Sequence, residues 1–176
     1  MIVPVVCVLG EFGTGKTLFA TYQAVTFAQD NPDKMVFANY PIRGIKNFRQ
    51  YDVEELKQAE FPEWLQNGLL IIDEVQIGSH AYDFIKKGAR HMISFISQIR
   101  KLDLQLIIIT PVFTWITKQL RDIVNYIITL EDMKTPGIVT ANYYRYRKPS
   151  KYLRTKVYDL RNVFPYYNTK FIVRKG

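Results

Sequence analysis

The sequence has little of what would cross-link a small protein or anchor it in a membrane. Its 176 residues include one cysteine, Cys7, so no disulfide can form within the chain and a reducing compartment is expected. Apolar runs such as Leu104–Ile109 are far shorter than the ~20 residues of a membrane-spanning helix. The two histidines, His80 and His91, belong to no Cys/His cluster, which disfavours a metal centre of that kind. We therefore expect a cytoplasmic protein, in the host cytoplasm if it is viral, without a transmembrane segment of its own.

Acidic residues are nearly absent from the last quarter of the chain. Residues 134–176 contain 11 of the 24 Lys and Arg residues but only one of the 16 Asp and Glu residues, Asp159. Because the whole chain carries a net charge of +8, its basicity is concentrated in this segment. Such an asymmetry indicates a polyanionic partner. We divide the chain into a core at residues 1–133 and a basic, aromatic-rich β extension of the same domain at residues 134–176.

The composition and the apolar pattern predict one α/β domain. The hydrophobic fraction of 48% and the charged fraction of 23% are ordinary for a folded soluble protein of this length. Strands and helices alternate along residues 1–133, which predicts three layers with a mostly parallel central sheet. The predicted strands are Val3–Leu9, Met35–Ala38, Leu69–Ile72, Leu104–Thr110 and Tyr126–Leu130, followed by β segments at Ile138–Tyr146, Val157–Leu160 and Phe171–Val173. The predicted helices are Thr17–Gln29, Asp52–Gln58, Ala89–Lys101 and Thr114–Ile123.

A phosphate-binding loop follows the first predicted strand. The segment matches G-x-x-x-x-G-K-[ST] between a strand and a helix, which is the context this motif requires. Backbone N–H groups of such a loop and the positive end of the helix dipole bind phosphates. Lys16 can reach the β- and γ-phosphates, and the Thr17 hydroxyl can coordinate Mg²⁺. We therefore expect ATP and Mg²⁺ as cofactors, held by Gly10, Glu11, Phe12, Gly13, Thr14, Gly15, Lys16 and Thr17.

Two carboxylates follow the third predicted strand. Leu69–Ile72 is apolar and is followed by Asp73 and Glu74, which places both acids at the edge of the sheet where ligands bind. Asp73 fits an acid that acts on Mg²⁺ through its water shell, and Glu74 fits a general base that polarises the attacking water. A buried strand that simply ends in solvated acids is the alternative. Beside a complete phosphate loop, the pair predicts hydrolysis of a nucleoside triphosphate.

Three further residues are weaker catalytic candidates. Thr110 ends the fourth strand, where its hydroxyl could contact the γ-phosphate or could bond the local backbone. Arg100 and Arg121 could each act as an arginine finger on a neighbouring subunit, or could lie in solvent on a helix face.

The basic extension contains candidate nucleic-acid contacts. Lysines and arginines alternate with tyrosines in Tyr143–Lys148 and Lys151–Lys156, without an acidic residue. Cations pair with phosphates and tyrosine rings can pack on sugars or bases, so this pattern predicts a DNA contact that is independent of sequence. A β-hairpin with tyrosines packed on the core and solvated cations fits the alternation as well. The candidate contacts are Arg145, Arg147, Lys148, Lys151 and Arg154.

Several segments carry a resemblance to a known group of ATPases. The chain resembles the additional-strand, catalytic-glutamate division of P-loop NTPases, and within it the FtsK–HerA superfamily. It is most similar there to the Zot-like ATPases of filamentous phages and to the packaging ATPases of viruses. The segments that carry the resemblance are Gly10–Thr17, Val36–Pro41, Ile71–Glu74, Arg100–Asp103, Lys118–Arg121 and Tyr167–Thr169.

The resemblance implies a fold, an assembly and three possible functions. It implies a RecA-like core with parallel strand order 5-1-4-3-2, and a homo-oligomeric ring, a hexamer, acting on double-stranded DNA. Thr110-Pro111 departs from the Thr-Gln that usually ends the sensor strand of this family. Zot-like proteins usually carry a membrane span after the ATPase domain, so its absence here favours a DNA-translocating motor that packages a viral genome into a capsid. The alternatives are a Zot-like ATPase for virion extrusion, working with a membrane protein, and a small P-loop kinase.

Overall fold

The computed structural model describes residues 4–57, 62–73, 98–99, 101–116, 118–131, 134–146 and 150–167. Eight strands are present in these ranges: β1 (Val5–Leu9), β2 (Met35–Ala38), β3 (Phe48–Gln50), β4 (Gly68–Ile72), β5 (Leu104–Thr110), β6 (Tyr126–Leu130), β7 (Ile138–Arg145) and β8 (Lys151–Asp159). The helices are α1 (Lys16–Asp30), α2 (Lys118–Ile123) and three short 3₁₀ helices at Val53–Lys57, Phe113–Trp115 and Arg161–Tyr166. None of the described helices is long and apolar enough to cross a membrane. The predicted strand Phe171–Val173 and most of the predicted helix Ala89–Lys101 lie outside the described residues.

All eight strands form one mixed sheet. Their order is β3-β2-β4-β5-β1-β6-β7-β8, and every pair from β3 to β6 is parallel. Strands β7 and β8 continue the sheet in antiparallel pairs. The five predicted core strands lie in the order 5-1-4-3-2, so the expected P-loop NTPase architecture is confirmed. The short edge strand β3 was not predicted.

The register of the central strands brings the predicted site to one edge of the sheet. Leu9, the last residue of β1, pairs with Thr110 at the end of β5. Ile72, the last residue of β4, pairs with Ile108 on β5. Because these strands are parallel, the loop after β1 and Asp73 after β4 emerge at the same edge.

The core lies on both faces of the central strands. Leu70 and Ile72 of β4 belong to one apolar cluster, whereas Leu69 and Ile71 belong to the cluster on the other face. This alternation follows from the pleat of a strand, which points successive side chains to opposite faces. All five residues of β4 are buried, as is typical of a strand covered by helices on both sides. Cys7 is completely buried in β1, and burial raises the pKa of its thiol to about 12.

Two elements differ from the predicted ones. The single helix predicted over Thr114–Ile123 is interrupted, because Ile116 has an extended backbone and inserts a buried side chain into the core. The strand predicted at Val157–Leu160 is the end of the longer β8. Since β8 is an edge strand with only Tyr158 buried, its first residues lack the apolar alternation that would have predicted a strand.

The basic extension is attached to the helix that follows the phosphate loop. The ring of Tyr158 on β8 lies 5.3 Å from that of Phe19 and 5.4 Å from that of Tyr22, both on α1. On β7, Tyr143 also shares a hydrogen bond with the Tyr158 hydroxyl. The hairpin β7–β8 is therefore packed on α1 as well as joined to the sheet edge.

Candidate nucleotide-binding site

The loop between β1 and α1 depends on its three glycines. Gly13 and Gly15 have φ angles of +85° and +80°, in the left-handed region that residues with side chains rarely adopt. At Gly10, a Cβ atom would lie 2.6 Å from Thr14 Oγ1 and 3.0 Å from the carbonyl oxygen of Leu130. Two glycines thus supply backbone conformation and the third permits a close approach of two chain segments.

Hydrogen bonds inside the loop fix the position of the Lys16 ammonium. The Lys16 ammonium donates to the carbonyl oxygens of Gly10 at 2.8 Å and Glu11 at 2.7 Å. The buried Thr14 hydroxyl donates to Glu11 O at 2.9 Å. Because α1 begins at Lys16, the lysine charge and the positive end of the helix dipole lie together, and both favour bound phosphate.

A hydroxyl and a carboxylate meet at the start of α1. The Thr17 hydroxyl donates to Asp73 Oδ2 at 2.6 Å, and Asp73 is buried although it follows the last residue of β4. Mg²⁺ prefers oxygen ligands and is usually held by one or two protein groups together with substrate phosphates and water. The oxygen pair of Thr17 and Asp73 beside the phosphate loop therefore fits Mg²⁺ bound with a nucleotide.

Asn39 holds the backbone of Asp73 and was not predicted as a site residue. Its side-chain amide donates to Asp73 O at 2.9 Å, and its Oδ1 accepts the Asp73 N–H at 2.8 Å. Asn39 directly follows β2, and β2 is the parallel neighbour of β4. The resemblance included Asn39 in a matching segment, but its contact with Asp73 follows only from that strand order.

Two buried tyrosines lie behind the carboxylate. Burial raises the pKa of both Tyr40 and Tyr51, and the nearby charge of Asp73 contributes to both shifts. The Tyr51 hydroxyl donates to Ile71 O on β4 at 2.9 Å. The Tyr40 hydroxyl lies 3.2 Å from Thr21 Oγ1 on α1. Both phenols are thus neutral; Tyr51 is bonded to β4, and Tyr40 lies against α1.

Lys16, Thr17 and Asp73 line a cleft of about 410 Å³, a size within the ~300–1,000 Å³ range of ligand pockets. Thr110 lines it, and the Thr110 hydroxyl donates to Val112 O at 3.1 Å, so that hydroxyl bonds the local backbone. Segments from the C-terminal part of the chain form one wall of the cleft. The lining residues are Phe12, Gly13, Gly15, Lys16, Thr17, Leu18, Asp73, Ile109, Thr110, Pro111, Pro136, Gly137, Phe164 and Tyr167.

The other predicted site residues lie away from this cleft or outside the described residues. The Arg121 guanidinium donates to the carbonyl oxygens of Thr114 and Ile116, so it fixes the turn before α2. Arg145, Lys151 and Arg154 lie on the hairpin β7–β8. Glu74, Arg100, Arg147 and Lys148 lie outside the described residues.

The fold and the site together define a P-loop NTPase. Its defining parts are a parallel strand, a glycine loop with a lysine, and a helix whose first threonine contacts an acid that follows β4, the strand beyond β5. The family model described as zonular occludens toxin (Zot) matches residues 4–170, so the chain belongs to the Zot family. No curated protein sequence matches the chain.

Solved structures share this fold at low sequence identity. The N-terminal domain of zonular occludens toxin from Neisseria meningitidis matches with a TM-score of 0.63 and 15% identity, over 96% of this chain and 100% of that one. The genome packaging NTPase B204 from Sulfolobus turreted icosahedral virus 2, in complex with ATP-gammaS, matches with a TM-score of 0.54 and 10% identity, over 88% and 96%. The RadB recombinase matches with a TM-score of 0.54 and 16% identity, over 88% and 86%. The predicted resemblance to Zot-like and viral packaging ATPases is confirmed.

Proposed function

We propose that this chain is an ATP-hydrolysing motor that translocates double-stranded DNA and packages a viral genome. The observation that carries the proposal is the 2.6 Å contact between Thr17 and Asp73 beside the Lys16 ammonium. This arrangement binds phosphate and a divalent cation, and it lies on the same sheet as a strongly basic hairpin. A phosphate site joined to a polyanion-binding surface is what such a motor requires.

Each group near the phosphate loop has a separate role. Lys16 neutralises the β- and γ-phosphates, and Thr17 and Asp73 supply oxygens for Mg²⁺. When bound, Mg²⁺ neutralises charge that develops on the phosphate oxygens during transfer. Asn39 holds the Asp73 backbone so that its carboxylate stays at the start of α1. Glu74, one residue beyond Asp73, polarises the attacking water as general base.

The cations of the hairpin β7–β8 form the proposed DNA contact. Arg145, Lys151 and Arg154 are exposed there, and the Arg154 guanidinium lies 5.0 Å from the centre of the Tyr143 ring. Tyr144 packs partly on the core, whereas 53% of Tyr152 is exposed. The tyrosines thus both support the hairpin and supply surface for sugars or bases. Arg147 and Lys148 complete the proposed contact.

The motor is proposed to act as a homo-oligomeric ring, a hexamer, assembled on a capsid. Ring closure by heterologous contacts would place the nucleotide of one subunit against its neighbour. Arg100 or Arg121 would then neutralise the γ-phosphate from the neighbouring subunit. Residues 1–133 would supply the ATPase core and residues 134–176 the DNA-binding extension of the same domain.

Virion extrusion is the second candidate function. The family match over residues 4–170 favours it, because the Zot family model covers both the ATPase core and most of the basic extension. In that case the same ATPase would act with a membrane protein rather than a capsid. Thr17, Asp73 and Lys16 would keep the same roles.

The ATPase rate with and without double-stranded DNA, together with the mass in solution, tests the proposal. A DNA motor is expected to hydrolyse ATP faster on DNA and to assemble into a ring under the same conditions. An extrusion ATPase would instead respond to its membrane partner and not to DNA. A strictly monomeric enzyme whose ATPase rate does not change when DNA is added would contradict the proposal of a DNA motor.

A further inference from the structure

Four of the described residues that line the cleft come from the C-terminal part of the chain and form its C-terminal wall. Pro136 and Gly137 lie at the entry to β7, and Phe164 and Tyr167 follow the exit from β8. We propose that this wall binds the base of the nucleotide, with the Phe164 ring as its stacking surface. The inference rests on the proposed function, because the phosphate loop must hold the other end of the same nucleotide.

Phe164 is exposed in a way that core packing does not explain. It lies in the 3₁₀ helix Arg161–Tyr166, whose Val163 is 1% exposed and anchors that helix in the core. Phe164 is 44% exposed and lines the cleft. A large aromatic surface left open beside a phosphate site is suited to stack on a planar base.

Because Gly137 has no side chain, the Phe164 ring can lie against the turn that precedes β7. A Cβ atom at Gly137 would meet Phe164 Cζ at 3.0 Å and Arg161 Cγ at 2.7 Å, and the φ angle of Gly137 is +81°. The Gly137 carbonyl accepts a hydrogen bond from the Leu160 N–H at 2.7 Å. The entry and the exit of the hairpin are therefore fixed to each other at the position of the ring.

The end of the wall is also attached to the segment that follows β2. Tyr167 forms an antiparallel bridge with Ile42, and the Arg43 N–H donates to Tyr166 O at 3.0 Å. The Tyr167 ring lies 6.3 Å from the ring of Tyr40, edge to face. Because the wall is held at both ends, it is largely formed before a ligand binds.

The chemistry of this wall does not select one particular base. Among the described lining residues, none of the four that form the wall carries a charged side chain. Stacking on an aromatic ring is tolerant of base identity, since every base has a π face. Adenine and guanine nucleotides are therefore expected to bind with similar affinity, and both more tightly than pyrophosphate, which has no base.

The test is equilibrium binding of ADP, GDP and pyrophosphate to the full chain and its variants. Phe164→Leu keeps an apolar side chain but removes the ring, so it should weaken the binding of ADP and GDP about tenfold and leave pyrophosphate binding unchanged. Phe164→Trp should retain ADP affinity, and its added fluorescence should be quenched by ADP but not by pyrophosphate. Trp115→Leu is the matched control, because Trp115 is 46% exposed and lies outside the cleft lining.

Three results would overturn the base site. They are an equal loss of ADP and pyrophosphate in Phe164→Leu, no tryptophan quenching by ADP in Phe164→Trp, and wild-type ADP affinity no higher than that for pyrophosphate. Failure of the proposed function is distinguishable, because it would appear as pyrophosphate binding that survives Lys16→Ala, or as hydrolysis indifferent to DNA. Neither of these results changes the ratio of ADP to pyrophosphate affinity that tests Phe164.

Discussion

Strands β4 and β8 belong to one sheet but expose opposite kinds of surface. All five residues of β4 are buried, whereas one of the nine residues of β8 is buried. Strand β4 is followed by Asp73, whose backbone is held by Asn39. Strand β8 instead presents cations and exposed side chains such as Leu153 and Val157. A central strand can hold one carboxylate in a fixed place, while an edge strand can offer a broad charged surface.

Helix α1 joins these two regions. It begins at Lys16 in the phosphate loop, and its Phe19 and Tyr22 rings contact Tyr158 on β8. The proposed nucleotide chemistry at the start of α1 and the proposed DNA contact on the hairpin are therefore separated by one packed interface. If the two regions have the roles proposed here, variants can remove one role and leave the other.

The largest effect is expected from Lys16→Ala. Loss of the ammonium removes the charge that neutralises the phosphates, both when the nucleotide binds and during hydrolysis. We therefore expect kcat/KM to fall by about 1,000-fold or more. Steady-state ATP hydrolysis measures the effect. Lys118→Ala is the matched control, because Lys118 is exposed on α2 and lies outside the cleft lining. Equal activity in the two variants would contradict the assigned role of Lys16.

Glu74→Gln should separate binding from turnover. An amide cannot polarise water as a base, so hydrolysis should fall by about 100-fold or more while ATP affinity is retained. Single-turnover kinetics and nucleotide binding on the same preparation measure both quantities. Near-normal hydrolysis in the purified variant would remove Glu74 from the catalytic groups.

Neutralising the cations of the hairpin β7–β8 should affect DNA binding and leave the nucleotide site unchanged. Replacing Arg145, Arg147, Lys148 and Lys151 with Gln should weaken DNA binding and flatten the slope of log K against log salt, by up to ~0.9 for each lost phosphate contact. Basal ATP hydrolysis should persist. Titrations at several salt concentrations measure the slope. An unchanged slope would place the DNA contact elsewhere on the molecule.

The control for that variant changes the same net charge at other exposed positions. Residues suited to this control are exposed in the structure and lie outside both the hairpin and the cleft lining: Arg43, Lys46, Lys101 and Lys118. Their replacement with Gln should leave the salt slope closer to that of the wild type. Equal effects of the two sets would indicate that net charge, and not the hairpin, determines DNA binding.

Asn39→Leu should give the smallest effect of the four. It leaves both backbone groups of Asp73 without their side-chain partner, which should cost about 1–3 kcal/mol in the free energy of unfolding and lower kcat about tenfold. Asn47→Leu is the control, because its amide also donates to a backbone carbonyl, that of Pro32, at 2.6 Å. Loss of stability without any loss of kcat would show that Asn39 does not position Asp73 for catalysis.

The sequence predicts those parts of the molecule whose signal is local. Residues Gly10–Thr17 form a contiguous motif, and the buried strands are continuous apolar runs, so both could be recognised before the fold was known. The edge strand β3 could not, because it has three residues and two of them are exposed. The strand order came from the resemblance to a family and not from the pattern of residues.

The parts that the sequence does not predict arise where distant segments meet. Asn39 reaches Asp73 only because β2 lies beside β4. Phe164 lines the nucleotide cleft only because the entry and exit of the hairpin meet at Gly137, 27 residues earlier in the chain. No local periodicity marks either contact, since each depends on the path of the whole chain.

The most direct test of the account is the stimulation of ATP hydrolysis by double-stranded DNA, compared between the wild type and the hairpin variant. If nucleotide chemistry at Lys16 and Asp73 is coupled to DNA bound on β7–β8, DNA should raise the wild-type rate and should leave the rate of the Arg145, Arg147, Lys148 and Lys151 variant at its basal value. Equal stimulation of the two proteins, or none in the wild type, would contradict the coupling of these two regions.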